Sequence, residues 1–350
     1  MTGIALTRGR RLPPPPRAVR HRPFDQEDGP QMSAHTPEDG PAPDPASADA
    51  YAPARTTVLA PGGVGGLLAG VLARDGRAVT VVATEPTADH IAAHGLHVES
   101  ALLGEFRVDV PAVPAAAEPA DLLVVAPKAT GLEEALKRVP PESAAGALVL
   151  PLLNGFEHMP LLRAAYPDAH VLAAAIRVES TRTAPGRIAQ TSPFATLDIA
   201  FSGAPAPRVE GLAAALRSAG LPVRLSDDED GVLWRKFQFL LATALVCTHN
   251  RSGIGAARSE RRTDLVGVAD EVGAVAAANG ISLATDRVTE MIDAAPAPTK
   301  PSMLRDREAG RPMEIDALGG ALLRAARRAG VAVPRTERLV ADLRRVDAAH

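Results

Sequence analysis

Residues Thr56 to Gly76 read TTVLAPGGVGGLLAGVLARDG, and their order decides the fold. A short apolar strand runs into clustered glycines, and a helical stretch from Val64 to Asp75 follows. Strand, glycine turn and helix in that order mark a dinucleotide-binding βαβ unit, whose usual frame is G-x-G-x-x-G. The first glycine of that frame permits a tight turn, the second lets backbone approach a pyrophosphate, and the third lets helix and strand pack. Here Gly62 and Gly65 hold the second and third places, and Ala60 stands in the first. Pro61 biases Ala60 towards β or polyproline geometry, which predicts a wider turn. Gly63 and Val64 open the helix, where free N–H groups and the helix dipole favour phosphate, and Gly63 and Gly66 add room.

Beyond this turn, short apolar runs alternate with helical ones. AVTVVA, DLLVVAP and ALVLPL read as strands without polar alternation, which a parallel sheet buried on both faces requires. GLEEALKRV between the last two reads as a helix, so the segment is built of βαβ units. AAAIRVES, GRIAQTS and ATLDIAF, after Val171, suggest a small antiparallel addition. Past Ser226 the pattern is helical, and SDDED offers a capping box, Ser226 with Glu229, ahead of a long apolar helix. The expected architecture is α/β: an N-terminal Rossmann-type doubly wound sheet over 54–226 and an all-helical C-terminal domain over 227–350.

Residues 1–53 differ from the rest. They hold eleven prolines, run from basic to acidic, and lack the apolar core of a secretory signal. Such a composition buries too little surface to offset ordering entropy, so a disordered extension is expected; a proline-rich docking tail is the alternative, and Met32 a second candidate start. A net charge of -3 gives no electrostatic case for nucleic acid. No run of about 18 uncharged apolar residues suggests a membrane span. The single Cys247 allows no intramolecular disulfide and fits a reducing cytoplasm.

Several polar residues fall where chemistry is done. Lys128 and Asn154 each follow the end of a strand, the place where open α/β sheets bind ligands. Lys236, Leu240 and Ala244 share one helix face in GVLWRKFQFLLATALV. A lysine on that apolar stripe is either a snorkelling side chain or a desolvated ammonium with a lowered pKa, a better proton donor. Ser302 and Glu314 flank a helical turn and a Gly-Arg-Pro break, with a helix beginning near Glu314. Glu85, 20 residues after Gly65, stands about where an acid binds a ribose 2′-hydroxyl, and no Arg follows the second strand; locally this favours NAD. His90, His94 and His97 lack a completing ligand at a convincing spacing, so no metal is expected.

LWRKF and SMLRDREAGRPMEIDALGG, supported by LPLLNG, resemble the ketopantoate reductase (2-dehydropantoate 2-reductase) family over roughly residues 55–345. The resemblance implies hydride transfer from NADPH to the C2 ketone of ketopantoate, giving pantoate for coenzyme A synthesis. It implies Lys236 as the proton donor, Glu314 as the acid that binds the substrate hydroxyl near the nicotinamide, and Ser302 on the substrate carboxylate. Lys128 and Asn154 would stand at the cofactor–substrate junction, Asn154 serving both, with Gly62, Gly63, Val64 and Gly65 on the cofactor. A small-molecule 2-keto acid partner and a homodimer follow from the same resemblance. Leu240 and Ala244 stand where the family commonly has asparagines, Gly319-Gly320 where it has Asn-Gly, and Thr84 where it has a basic residue. The first two suggest a less polar 2-keto acid; the last leaves NADP, which the family implies, beside NAD. A nucleotide-binding sensor without catalysis is the reading from another class.

Overall fold

The computed structural model describes residues 52–201 and 203–347; the proline-rich extension as far as Tyr51, Met32 included, lies outside them. The chain begins with β1 (Arg55–Leu59), α1 (Gly63–Arg74), β2 (Ala78–Val82) and α2 (Glu85–His94). It continues through β3 (Leu96–Ser100), β4 (Gly104–Val108), β5 (Ala112–Val113), β6 (Leu122–Val125) and α3 (Leu132–Leu136). Then come β7 (Leu148–Pro151), α4 (His158–Ala165), β8 (His170–Val171), β9 (Ala173–Ala184), β10 (Arg187–Ala200), α5 (Ala206–Ser218) and β11 (Val223–Ser226).

Six of these strands form a parallel sheet in the order β5-β2-β1-β6-β7-β8. Every residue of β6 and β7 is buried, which is why neither alternates in polarity. Each such Leu or Val contributes ~1.5–3 kcal/mol by leaving water. The chain winds outward from β1 in one direction and from β6 in the other. The crevice at the carboxyl ends of β1 and β6 is therefore the switch point at which such sheets bind ligands.

A second sheet of five strands covers α1. β9 runs antiparallel along β10, while β3 and β11 pair in parallel with successive parts of β10. β4 closes the edge as an antiparallel partner of β3. The addition read from the sequence after Val171 is thus larger than expected, because it recruits the hairpin β3–β4 from between β2 and β5.

From Glu229 onward the described residues are helical: α6 (Glu229–Asn250), α7 (Ile254–Glu260), α8 (Arg262–Ala278), α9 (Thr285–Ala294), α10 (Ser302–Glu308), α11 (Ala321–Ala329) and α12 (Pro334–Asp347). One local expectation is corrected. The cap of α6 is Asp228, whose Oδ1 accepts from the Gly231 N–H at 2.8 Å. Ser226 instead accepts from the Asp228 N–H, so the capping box one turn earlier does not form. The helix expected near Glu314 starts at the next residue, Ile315, and widens to a π-turn over Asp316–Gly320 before α11.

Candidate active site

The turn after β1 resolves the missing glycine. Ala60 has φ +65°, the left-handed conformation that a first glycine adopts without strain. The expectation of β or polyproline geometry before Pro61 is therefore wrong at this residue. Two bonds over-determine it: the Ala60 N–H donates to the Val82 carbonyl at 2.9 Å, and the Ala60 carbonyl accepts from the Gly62 N–H at 2.8 Å. A left-handed alanine costs ~1–2 kcal/mol, a strain of the kind that surrounding structure must hold in place.

The other glycines divide their work. A Cβ on Gly65 would stand 2.5 Å from the Ala60 carbonyl, so that position serves helix–strand packing. One on Gly62 would meet nothing nearer than the Ala126 carbonyl at 4.0 Å, so its backbone faces open space. Gly63 is different from expectation. Its Cβ would collide with the Ser180 carbonyl at 2.2 Å, and Ser180 Oγ donates to the Gly63 carbonyl at 2.7 Å. The room at Gly63 is taken by β9, not left for phosphate. No side chain caps α1, so its first N–H groups remain for an anion.

Asn154 ends the loop from β7, and Gly155 follows with φ +84°, a turn that only glycine makes without strain. Asn154 Oδ1 accepts from Lys236 Nζ at 3.1 Å, and its Nδ2 donates to Glu314 Oε2 at 3.4 Å. One amide thus joins an ammonium and a carboxylate, each to the end of matching polarity. Glu314, only 6% exposed, also accepts from the Ala129 N–H through Oε1 at 3.0 Å. Burial, then the nearby Arg177, lowers the Lys236 pKa to about 8, with Glu314 opposing. The ammonium is therefore less strongly favoured than in water, and its proton is given up more readily than an exposed lysine's.

Aromatic packing sets this geometry. Phe156 stacks on Trp234 at 4.6 Å and meets Phe237 edge-on at 5.0 Å, tying the Asn154 loop to the turn of α6 that carries Lys236. Arg324 adds a fork onto Glu157 at 2.6 Å and onto Asp316 at 3.0 Å. Buried His158 lies close enough for the Lys236 charge, after burial itself, to lower its pKa to about 4.

A second cluster went unread in the sequence. Asp306, 4% exposed, accepts from Lys128 Nζ at 2.7 Å and from Arg311 Nε at 2.9 Å. Lys128 thereby bridges the loop after β6 to α10, across 178 residues of chain. A buried carboxylate with two cationic partners satisfies the rule that interior charge must be paired. No local spacing shows it, since its partners meet only in the fold.

A cavity of about 680 Å³ runs from Gly62, Gly63 and Val64 past Lys128 and Asn154 to Ser302 and Glu314. Gly65 lies beneath the turn, and Lys236, partly exposed, reaches the wall at Asn154. Thr84 and Thr87 line the cavity near the end of β2, but Glu85, exposed at the start of α2, does not. Leu240 is half-buried one turn from Lys236, whereas Ala244 is packed in the helical core at 1% exposure. Gly319 likewise packs in the core, where a Cβ would strike Val340 at 2.3 Å. His90 and His94 stack at 4.5 Å while His97 turns to Glu105 at 2.8 Å. Among the described residues no helix is long and apolar enough to cross a membrane.

A Rossmann-type crevice, an open glycine turn and a lysine–amide–carboxylate set at its far end define an oxidoreductase class. Residues 57–200 match the family model described as ketopantoate reductase PanE/ApbA, and residues 229–347 match its C-terminal counterpart. The chain belongs to the ketopantoate reductase family of oxidoreductases. It is 30% identical over 304 residues to the 2-dehydropantoate 2-reductase of Halobacterium salinarum, covering 83% of this chain and 98% of that one. The solved structure of a PanE/ApbA family ketopantoate reductase from Ralstonia eutropha is 29% identical with a TM-score of 0.76, covering 84% of this chain and 99% of that one. A D-mandelate dehydrogenase solved with NADH shares the fold at 21% identity and a TM-score of 0.75, over 84% of this chain and 99% of that one.

Proposed function

We propose that the chain reduces the C2 ketone of 2-dehydropantoate to pantoate with NADPH, a step towards pantothenate and coenzyme A. The observation that carries this reading is the Asn154 amide held between Lys236 and Glu314 at the end of the cleft. The residues fit a dinucleotide: Gly62 leaves its backbone open to the cavity and α1 has no side-chain cap. Bound there, the nicotinamide would supply the hydride. Residues 54–226 would then hold the cofactor and 227–350 the substrate, with Val64, Gly62 and Lys128 on the cofactor and Asn154 between the two.

Reduction of a ketone builds negative charge on its oxygen, and a preorganised cation beside that oxygen lowers the barrier. Lys236, with its pKa near 8, both stabilises that charge and hands over a proton close to neutral pH. Asn154 orients the ammonium, and Glu314 accepts a substrate hydroxyl while raising the lysine's affinity for its proton. Ser302 on α10 offers its hydroxyl to the substrate carboxylate.

NADPH is preferred to NADH in this reading because Arg138, in the loop after α3, lines the same cavity as Thr84 and Thr87. It supplies the cation that the end of β2 lacks. Leu240 favours a second reading of substrate, a 2-keto acid whose side chain carries no hydroxyl. The two are separated by kcat/KM on ketopantoate beside 2-ketoisovalerate. Preference for ketopantoate supports the first reading, and preference for 2-ketoisovalerate the second. Turnover of neither overturns both.

A further inference from the structure

The cavity wall carries five cationic side chains: Lys128, Arg138, Arg182, Arg305 and Arg311. Lys128 and Arg311 are both committed to Asp306. Among the described residues the other three make no ion pair. Arg138 reaches the Pro114 carbonyl, and Arg305 reaches only the Lys300 carbonyl. Of the wall's acids, Glu134 is paired with Lys137 at 2.7 Å and feels Arg138 only through its charge, while Glu314 is held by Ala129 and Asn154. Three guanidinium groups thus face one cavity without an ion-paired carboxylate among the described residues.

Their stations differ. Arg182 follows Ser180 and Thr181 on β9, the strand that lies against Gly63. Arg138 is held beside Pro114, next to the β2–β5 edge. Arg305 alone lies at the other end, on α10, three residues after Ser302 and therefore on the same helix face. The neighbouring Asp306, bound by Lys128 and Arg311, fixes how α10 is turned towards the cleft.

We infer that Arg305 is the specificity-determining cation for the substrate carboxylate, gripping it in a two-point fork with Ser302 Oγ as a third donor. This rests on the reading of the chain as a 2-keto acid reductase. A guanidinium matches a planar carboxylate bidentately, whereas a hydroxyl alone gives one neutral donor. The nucleotide phosphates already have α1, Arg182 and Arg138 within the same cavity.

The test uses the full chain and compares Arg305→Gln and Arg305→Lys with the wild type. KM and kcat are measured on the better 2-keto acid and on its uncharged methyl ester, and NADPH Kd by nucleotide fluorescence. Loss of a charge-assisted fork raises KM for the acid by roughly 10–100-fold in Arg305→Gln, with Arg305→Lys between it and the wild type. The expected kcat, ester KM and NADPH Kd are unchanged, a split that general loosening of α10 does not give. Equal KM increases for acid and ester, or a weakened NADPH Kd with KM for the acid intact, overturn the inference. A wild type that reduces no 2-keto acid overturns the parent reading instead.

Discussion

Replacing Lys236 with methionine separates what the ammonium does for catalysis from what it costs the fold. Unfolded, the lysine holds its proton to about 10.5; folded, to about 8. Between those values the unfolded chain binds more protons, so stability rises with pH across that window. Below pH 8 the cost of burying the charge is present in full, and above 10.5 it is gone. The gap corresponds to roughly 3 kcal/mol, from which ~1 kcal/mol is subtracted because the hydrogen bond to Asn154 is lost as well. Lys236→Met is therefore about 1–2 kcal/mol more stable than the wild type at pH 7, and the advantage vanishes by pH 10.5. Catalysis goes the other way. Removing a positioned general acid lowers kcat by roughly 10²–10⁴-fold. In the wild type, kcat for reduction falls about tenfold per pH unit above 8 as the donor is lost, and in the variant that inflection disappears. Thermal melts at pH 7 and 10.5 and pH–rate profiles of both proteins measure these effects. A variant with wild-type kcat, or one that keeps the inflection near 8, refutes the role of Lys236 as donor.

Other perturbations test the turn and the cleft. Gly65→Ala forces a Cβ to within 2.5 Å of the Ala60 carbonyl and destabilises the fold by ~1–3 kcal/mol. Gly62→Ala leaves stability within about 0.5 kcal/mol but weakens NADPH binding, as seen by titration beside a melt. Ala60→Gly removes left-handed strain of ~1–2 kcal/mol against ~0.5–1 kcal/mol of added chain entropy, so the melting temperature rises or at least does not fall. Burial and the Lys236 charge hold His158 near 4 against an ordinary 6.5, so stability falls as pH drops from 6.5 to 4. His158→Leu flattens the acid side of the stability curve over that window, read by melts in steps of pH.

How much of this was legible in the sequence depended on the range of each signal. β6 and β7 announced themselves because strands buried on both faces must be apolar throughout, and β1 did so through the glycine turn that follows it. The second sheet did not, since β3 and β4 are short strands with mixed exposure and gain their partners only when β10 arrives from 90 residues on. Pro193 lies in the register shift between Gln190 and Ala195, which made one long strand read as two. Within the site, Lys128, Asn154, Lys236, Ser302 and Glu314 were legible from strand ends and motifs. Asp306 and Arg305 sit inside a charged surface-like run, RDRE, and only the fold separates the buried acid from the cation on the cavity wall. At Ala60 the local rule for a residue before proline failed because hydrogen bonds to Val82 and Gly62 override it.

In the proposed reaction hydride passes in this cleft to the C2 carbon of a 2-keto acid. The most direct measurement supplies NADPH deuterated at the transferring C4 position, with ketopantoate, to the full chain and analyses the product by mass spectrometry. The expected product is pantoate with a single deuterium at C2, formed by the wild type and nearly abolished in Lys236→Met. Product labelled from solvent at C2, or NADPH that binds but is never oxidised by any 2-keto acid, contradicts it.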